Sequence, residues 1–117
     1  MAKATGIGGV FFRSRDTDAL ARWYEEHLGV PGFWNQEAGF TVFAPFKQET
    51  TYFPPDRQWM INFRVDDLDG LMEKLQSAGI AIETRQEWDS PETGRFARVA
   101  DPEGNQIELW EPASPPQ

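Results

Sequence analysis

The two halves of this chain repeat one another, and no other feature of the sequence restricts its fold as much. At an offset of 51 positions Phe12 aligns with Phe63, Arg13 with Arg64, Asp16 with Asp67, Asp18 with Asp69 and Leu20 with Leu71. Deleting one residue in the second helix then brings Leu28-Gly29-Val30 onto Ala78-Gly79-Ile80. The chain is not of low complexity, so matches of this kind mark an internal duplication. Its unit reads β-α-β-β-β. One such unit cannot cover its own sheet, so two copies must pack together or pair with another chain. The expectation is an α+β protein of two tandem βαβββ modules, the first about 5–55 and the second about 57–112, in a single domain spanning 1–117.

Local signals place the elements. In the first half a strand is expected over 7–14, where Val10, Phe11 and Phe12 favour extended backbone. Asp16 or Thr17 caps a helix to about residue 27, with Leu20, Tyr24 and Leu28 on one face and Gly29 as its stop. Short strands at 33–36, 40–44 and 50–53 follow, separated by Glu37-Ala38-Gly39, Pro45 and Pro54-Pro55. The second half repeats the order: a strand over 59–65, a helix led by Asp66-Asp67 with Leu68, Leu71, Met72 and Leu75 inward, and strands at 81–84, 95–100 and 106–111. The last two strands are joined by the turn Asp101-Pro102-Glu103-Gly104-Asn105. Residues 112–117 read as a frayed tail.

Composition removes several function classes. A net charge of −8 with no Lys/Arg run is unsuited to nucleic acid, whose phosphates need a clustered basic face. The same acidity favours a cationic ligand. The absence of cysteine rules out disulfides, thiolate nucleophiles and thiolate metal sites. No stretch approaches the roughly 18 apolar residues of a membrane span, and no signal-peptide apolar region opens the chain, so a cytoplasmic protein is expected. Five Trp and nine Phe are many for this length, and large aromatics fill a core or line a ligand site.

Three stretches go further. They are Gly8-Gly9-Val10-Phe11-Phe12-Arg13-Ser14-Arg15-Asp16 with Trp23-Tyr24-Glu25-Glu26-His27-Leu28-Gly29; Asn62-Phe63-Arg64-Val65-Asp66-Asp67-Leu68-Asp69; and Asp101-Pro102-Glu103-Gly104-Asn105-Gln106-Ile107-Glu108-Leu109, the most specific of the three. With these the chain resembles the vicinal-oxygen-chelate superfamily, which includes glyoxalase I, bleomycin-resistance proteins and extradiol dioxygenases. The resemblance spans nearly the whole chain. It implies a curved mixed sheet built from both modules around a cavity, with helices on the outer face, in a homodimer.

Many members of that superfamily hold a divalent metal through His and Glu side chains, which polarises two neighbouring substrate oxygens. Mapping by motif puts the first-strand histidine at Gly9, its second-module equivalent at Met60, and the last-strand carboxylate at Glu108. The first-module counterpart of Glu108 falls near Thr51 or Tyr52, with Glu49 the nearest carboxylate. Glycine offers no ligand and a thioether is a soft one. The single histidine, His27, belongs to a helix terminus, where it meets the helix dipole. One carboxylate does not make a metal site, so the expectation is a member with no cofactor; the alternative is an atypical divalent-metal site at Glu108 and Glu49.

Strand alternation gives a separate reading of the cavity wall. With Ile61, Phe63 and Val65 packed under the helix, the opposite face carries Gln58, Met60, Asn62 and Arg64. By the repeat, Val10 and Phe12 turn inward while Gly9, Phe11 and Arg13 face the cavity. With Ile107, Leu109 and Val99 as core, Gln106, Glu108, Trp110, Phe96 and Arg98 face it too. The expected ligand-binding set is Arg13, Trp59, Met60, Asn62, Arg64, Phe96, Arg98, Glu108 and Trp110. The arginines either capture an anionic group in a bidentate fork or pair with Glu108 across the sheet. Trp34, Trp59, Trp88 and Trp110 either stack on a flat or cationic ligand or fill core and interface. The loop from Trp88 to Gly94 is expected over the cavity mouth.

The functional expectation is a metal-independent small-molecule binder of the bleomycin-resistance kind, sequestering an aromatic or cationic compound. Two rivals stand beside it: a glyoxalase-like lyase, isomerase or dioxygenase working through Glu108, and an interaction module whose cavity is filled by its own side chains.

Overall fold

The computed structural model describes residues 2–113. Two helices, α1 (Thr17–Leu28) and α2 (Leu68–Ser77), lie against a three-stranded mixed sheet of β1 (Ile61–Arg64), β2 (Gly94–Ala100) and β3 (Gln106–Pro112). The sheet order is β1-β3-β2. β3 runs parallel to β1 and antiparallel to β2, with Glu108 opposite both Asn62 and Arg98. Pro112 therefore closes β3 instead of opening a tail, and residues 114–117 lie outside the described residues.

The helices enter in the same way, as the repeat requires, and each is followed by a left-handed glycine. Asp16 and Asp67 both take extended backbone, with φ −142° and −143°, and each carboxylate accepts from the amide three residues on, Ala19 at 3.1 Å and Gly70 at 3.0 Å. At the other end, Gly29 and Gly79 have φ of 69° and 80°, the left-handed turn that reverses the chain and that residues with a Cβ avoid.

One face of the sheet meets both helices. Leu20 and Tyr24 of α1, Leu68 and Leu75 of α2, Ala97 and Val99 of β2, and Ile107 and Leu109 of β3 form the buried core, with Phe63, Val65, Leu71 and Met72 packed at its margin. The turn Asp101-Pro102-Glu103-Gly104-Asn105 is tied to α1. Buried Asp101 accepts from the Tyr24 hydroxyl at 2.7 Å and from the amides of Glu103 and Asn105. Glu103 accepts from Ser14 Oγ and from the backbone N–H of Arg15 and Asp16 at the entrance of α1. Those backbone and hydroxyl donors hold the Glu103 carboxyl below its ordinary range, the Arg15 amide foremost.

The expectation of two tandem modules is corrected here: the structure forms one module, from the second half. The strands expected at 7–14, 33–36, 40–44 and 50–53 do not form, and the one expected at 81–84 shrinks to a single antiparallel bridge between Glu83 and Arg98. Their residues have strand-like side chains, yet a strand exists only when its N–H and C=O groups find a neighbouring strand, and these segments find none among the described residues. Val10 and Phe12, expected inside, are about half exposed, and Phe11 is 95% exposed. Among the described residues the large exposed apolar side chains, from Ile7 to Trp59, all precede β1.

Candidate functional site

The face of the sheet turned away from the helices carries the polar residues of alternate positions: Asn62 and Arg64 on β1, Gln106, Glu108 and Trp110 on β3, Phe96 and Arg98 on β2. Glu108, at 6% exposure, is the buried carboxylate of this face. One of its oxygens accepts from the Tyr52 hydroxyl and the other from Asn62 Nδ2 at 2.8 Å. Tyr52 comes from the first half, so a segment without regular structure closes over the sheet. Its backbone carbonyl takes the Nη1 donor of Arg98 at 2.7 Å. Burial, with the bond to Glu108 adding to it, pushes the Tyr52 phenol up to about 12 against a partial opposing pull from Arg98.

Arg98 is the most constrained side chain at the site. Its guanidinium carbon lies 4.5 Å from the Tyr52 ring centroid and 5.0 Å from that of Trp88, both within cation–π range. Trp88 ends a single 3₁₀ turn (Gln86–Trp88), which is followed by a small hydrogen-bonded loop joining Ser90 to Gly94. Beside Arg98 opens a cavity of about 430 Å³, walled by residues 48–55 with Glu83 and Gln106. Farther along the same face Phe96 and Trp110 stack in parallel, 6.0 Å between centroids with a 4° interplanar angle, and the Trp110 indole N–H donates to the Thr93 carbonyl at 2.7 Å.

The structure thus brings Asn62, Arg98 and Glu108 together and sets Phe96 and Trp110 as a pair alongside. Other expected site residues lie elsewhere. Arg13 is exposed in the strandless N-terminal segment, Trp59 is exposed ahead of β1, and Met60 is half-buried there. Arg64 shares the face but donates to the Glu37 carbonyl at 3.1 Å. The expected pairing of an arginine with Glu108 is replaced by neutral donors: among the described residues no ion pair joins Glu108 to Arg64 or Arg98. Tyr52 is the residue that sequence reasoning missed. It is one of the two positions, Thr51 or Tyr52, near which the first-module counterpart of Glu108 maps, and a phenol donor stands there instead of a carboxylate.

A scan against protein-family models matches residues 9–110 to the glyoxalase-like domain. The chain belongs to the glyoxalase-like family, within the vicinal-oxygen-chelate superfamily. This glyoxalase-like chain is similar to TnmS3 of Streptomyces sp. CB03234, a protein described as antibiotic binding, at 27% identity, covering 84% of this chain and 88% of that one with a TM-score of 0.51. It shares its fold with the trypanothione-dependent glyoxalase I of Leishmania major, at 20% identity, 82% and 78% coverage and a TM-score of 0.53. Among curated proteins, none matches significantly.

The superfamily's divalent metal does not fit the donors of this glyoxalase-like domain. Gly9 and Met60 stand where imidazoles would, both Glu108 oxygens are engaged by Tyr52 and Asn62, and the His27 ring packs against Trp23 on α1. Among the described residues, no three His, Cys, Asp or Glu side chains converge.

Proposed function

We propose that this glyoxalase-like protein binds and sequesters an aromatic or cationic small molecule without a metal, as a cytoplasmic homodimer with all of residues 1–117 in one domain. The observation that carries the reading is the state of Glu108: the family-position carboxylate is held by a phenol and an amide beside a 430 Å³ cavity, a volume typical of small-molecule pockets. Similarity to an antibiotic binding protein over most of both chains makes antibiotic-like compounds the first ligands to try. The stacked Phe96–Trp110 pair and the net charge of −8 support affinity for flat and for cationic compounds respectively. What supports the homodimer is the first half, which repeats the sheet-forming sequence of the second yet leaves apolar side chains such as Phe11, Phe33, Phe40 and Phe43 in solvent; a second copy would supply the missing strand partners and complete the two-module sheet. No helix of the described residues is long and apolar enough to cross a membrane.

Native mass spectrometry of freshly purified protein, with elemental analysis, tests the whole reading at once. The expected result is a dimer retaining a small organic molecule and no stoichiometric Zn, Ni, Fe or Mn. A transition ion bound at Glu108 would replace this reading with the lyase or dioxygenase one. Trp110→Ala is expected to weaken binding of the retained compound while circular dichroism stays unchanged; unaltered affinity would remove the aromatic pair from the site.

A further inference from the structure

Resting on the reading of this cavity as a small-molecule site, we propose that Arg98 makes it selective for ligands carrying a carboxylate on an aromatic ring, gripped by the Nε and Nη2 edge of the guanidinium. Arginine has three donor-bearing nitrogens, and here they are unequally engaged. Nη1 is spent on the Tyr52 carbonyl at 2.7 Å. Nε and Nη2 are buried and have no hydrogen-bond acceptor among the described residues. In a guanidinium those two N–H bonds point the same way, at the spacing of the two oxygens of a carboxylate, so the unpaired edge is the one that makes a bidentate fork. Buried donors of this kind are nearly always matched in native proteins.

The protein's own carboxylates do not serve that edge. Glu108 is engaged by Tyr52 and Asn62, and Glu83, which lines the cavity, is paired with Arg85 at 2.7 Å. The rings of Tyr52 and Trp88 pack against the guanidinium, and Tyr52 and Phe53 line the cavity, so the surroundings of the fork suit an aromatic body. Nε and Nη2 are shielded from solvent, so the covering side chains part when a ligand enters. Trp88 sits on the 3₁₀ turn before β2 and can shift without breaking the β2–β3 ladder. One charge opposes the proposal: Glu49 also lines the cavity and repels an anion.

The test is calorimetric titration of the full chain with benzoate, benzamide and benzamidine, which share a ring and differ in charge. Benzoate is expected to bind about tenfold more tightly than benzamide. Arg98→Lys keeps the positive charge and loses the fork, and should abolish the preference for benzoate over benzamide. Glu49→Gln should tighten benzoate and not benzamide; this arm and the wild-type comparison stand even where Arg98→Lys fails to fold. Benzamide or benzamidine binding as tightly as benzoate overturns the carboxylate selectivity and leaves the binding reading in place. A chain that binds none of the three yet retains a copurified small molecule loses this inference alone, and one that shows neither loses both.

Discussion

At the residue scale the site is a buried carboxylate, Glu108, ringed by half-buried and exposed polar groups whose partners decide their chemistry. Glu108 is satisfied by neutral donors, while Arg98, opposite it on β2, is turned to the Tyr52 carbonyl. Removing it leaves the half-buried Tyr52 hydroxyl without its acceptor, while exposed Asn62 can turn to water: Glu108→Ala is expected to cost about 1 kcal/mol, read from urea unfolding. A cost indistinguishable from zero would mean that Tyr52 does not hold Glu108 in solution. The chain has two tyrosines, and burial is the leading cause that raises both phenols, with bonds to Asp101 for Tyr24 and to Glu108 for Tyr52 adding to it. The folded protein therefore keeps protons that the unfolded chain gives up. For Tyr52 this stabilisation is fully present below pH 10 and is lost as pH climbs from 10 toward about 12, and for Tyr24, raised further, the loss continues past that window. Spectrophotometric titration of the native protein should show almost no phenolate at pH 10; a half-ionised tyrosine there would contradict the buried hydrogen bonds.

At the element scale, both helices and the strands β1, β2 and β3 are legible in the sequence, whereas the strands expected at 7–14, 33–36, 40–44, 50–53 and 81–84 do not form. A helix satisfies its own backbone, so its cap and its apolar stripe suffice to define it, and Asp16 to Gly29 and Asp67 to Gly79 carry those signals in duplicate. Asp67→Ala removes the acceptor of the Gly70 amide and is expected to cost about 1 kcal/mol in urea unfolding, with Asp16→Ala costing a similar amount. Markedly different costs would show that the two helix entrances are not equivalent in energy. Strands differ in kind. Alternation in 106–111 and 95–100 marks a face, but only the pairing of β3 with both neighbours makes a sheet of it, and the same alternation in 7–14 leads to no strand where no edge is offered.

At the scale of the whole molecule, the distribution of apolar surface is unequal. The second half buries Leu68, Leu75, Ile107 and Leu109 between sheet and helices, whereas Val10, Phe11, Phe33, Phe40, Val42 and Phe43 stand open to solvent. Surface of that kind is costly in water and drives association. Sedimentation velocity is expected to give a dimer at micromolar concentration, and Phe11→Asp with Phe43→Asp should shift it toward monomer while leaving α2 and the sheet of the second half intact by amide exchange. A wild-type monomer across that range would remove the support for a two-chain sheet.

The sequence alone determined the duplicated helix entrances and exits, the inward face of the second-half sheet, the turn after Asp101, and the absence of imidazoles from the positions where the superfamily places them. These are properties carried by residues near one another along the chain or by simple periodicity. Only the tertiary structure decided that Tyr52 reaches Glu108 across 56 positions and that, among the described residues, Arg98 is left with an unpaired donor edge and the first half finds no strand partner. Such facts depend on which distant groups meet once the core has closed, because hydrogen bonds and strand edges are satisfied in space and not in sequence.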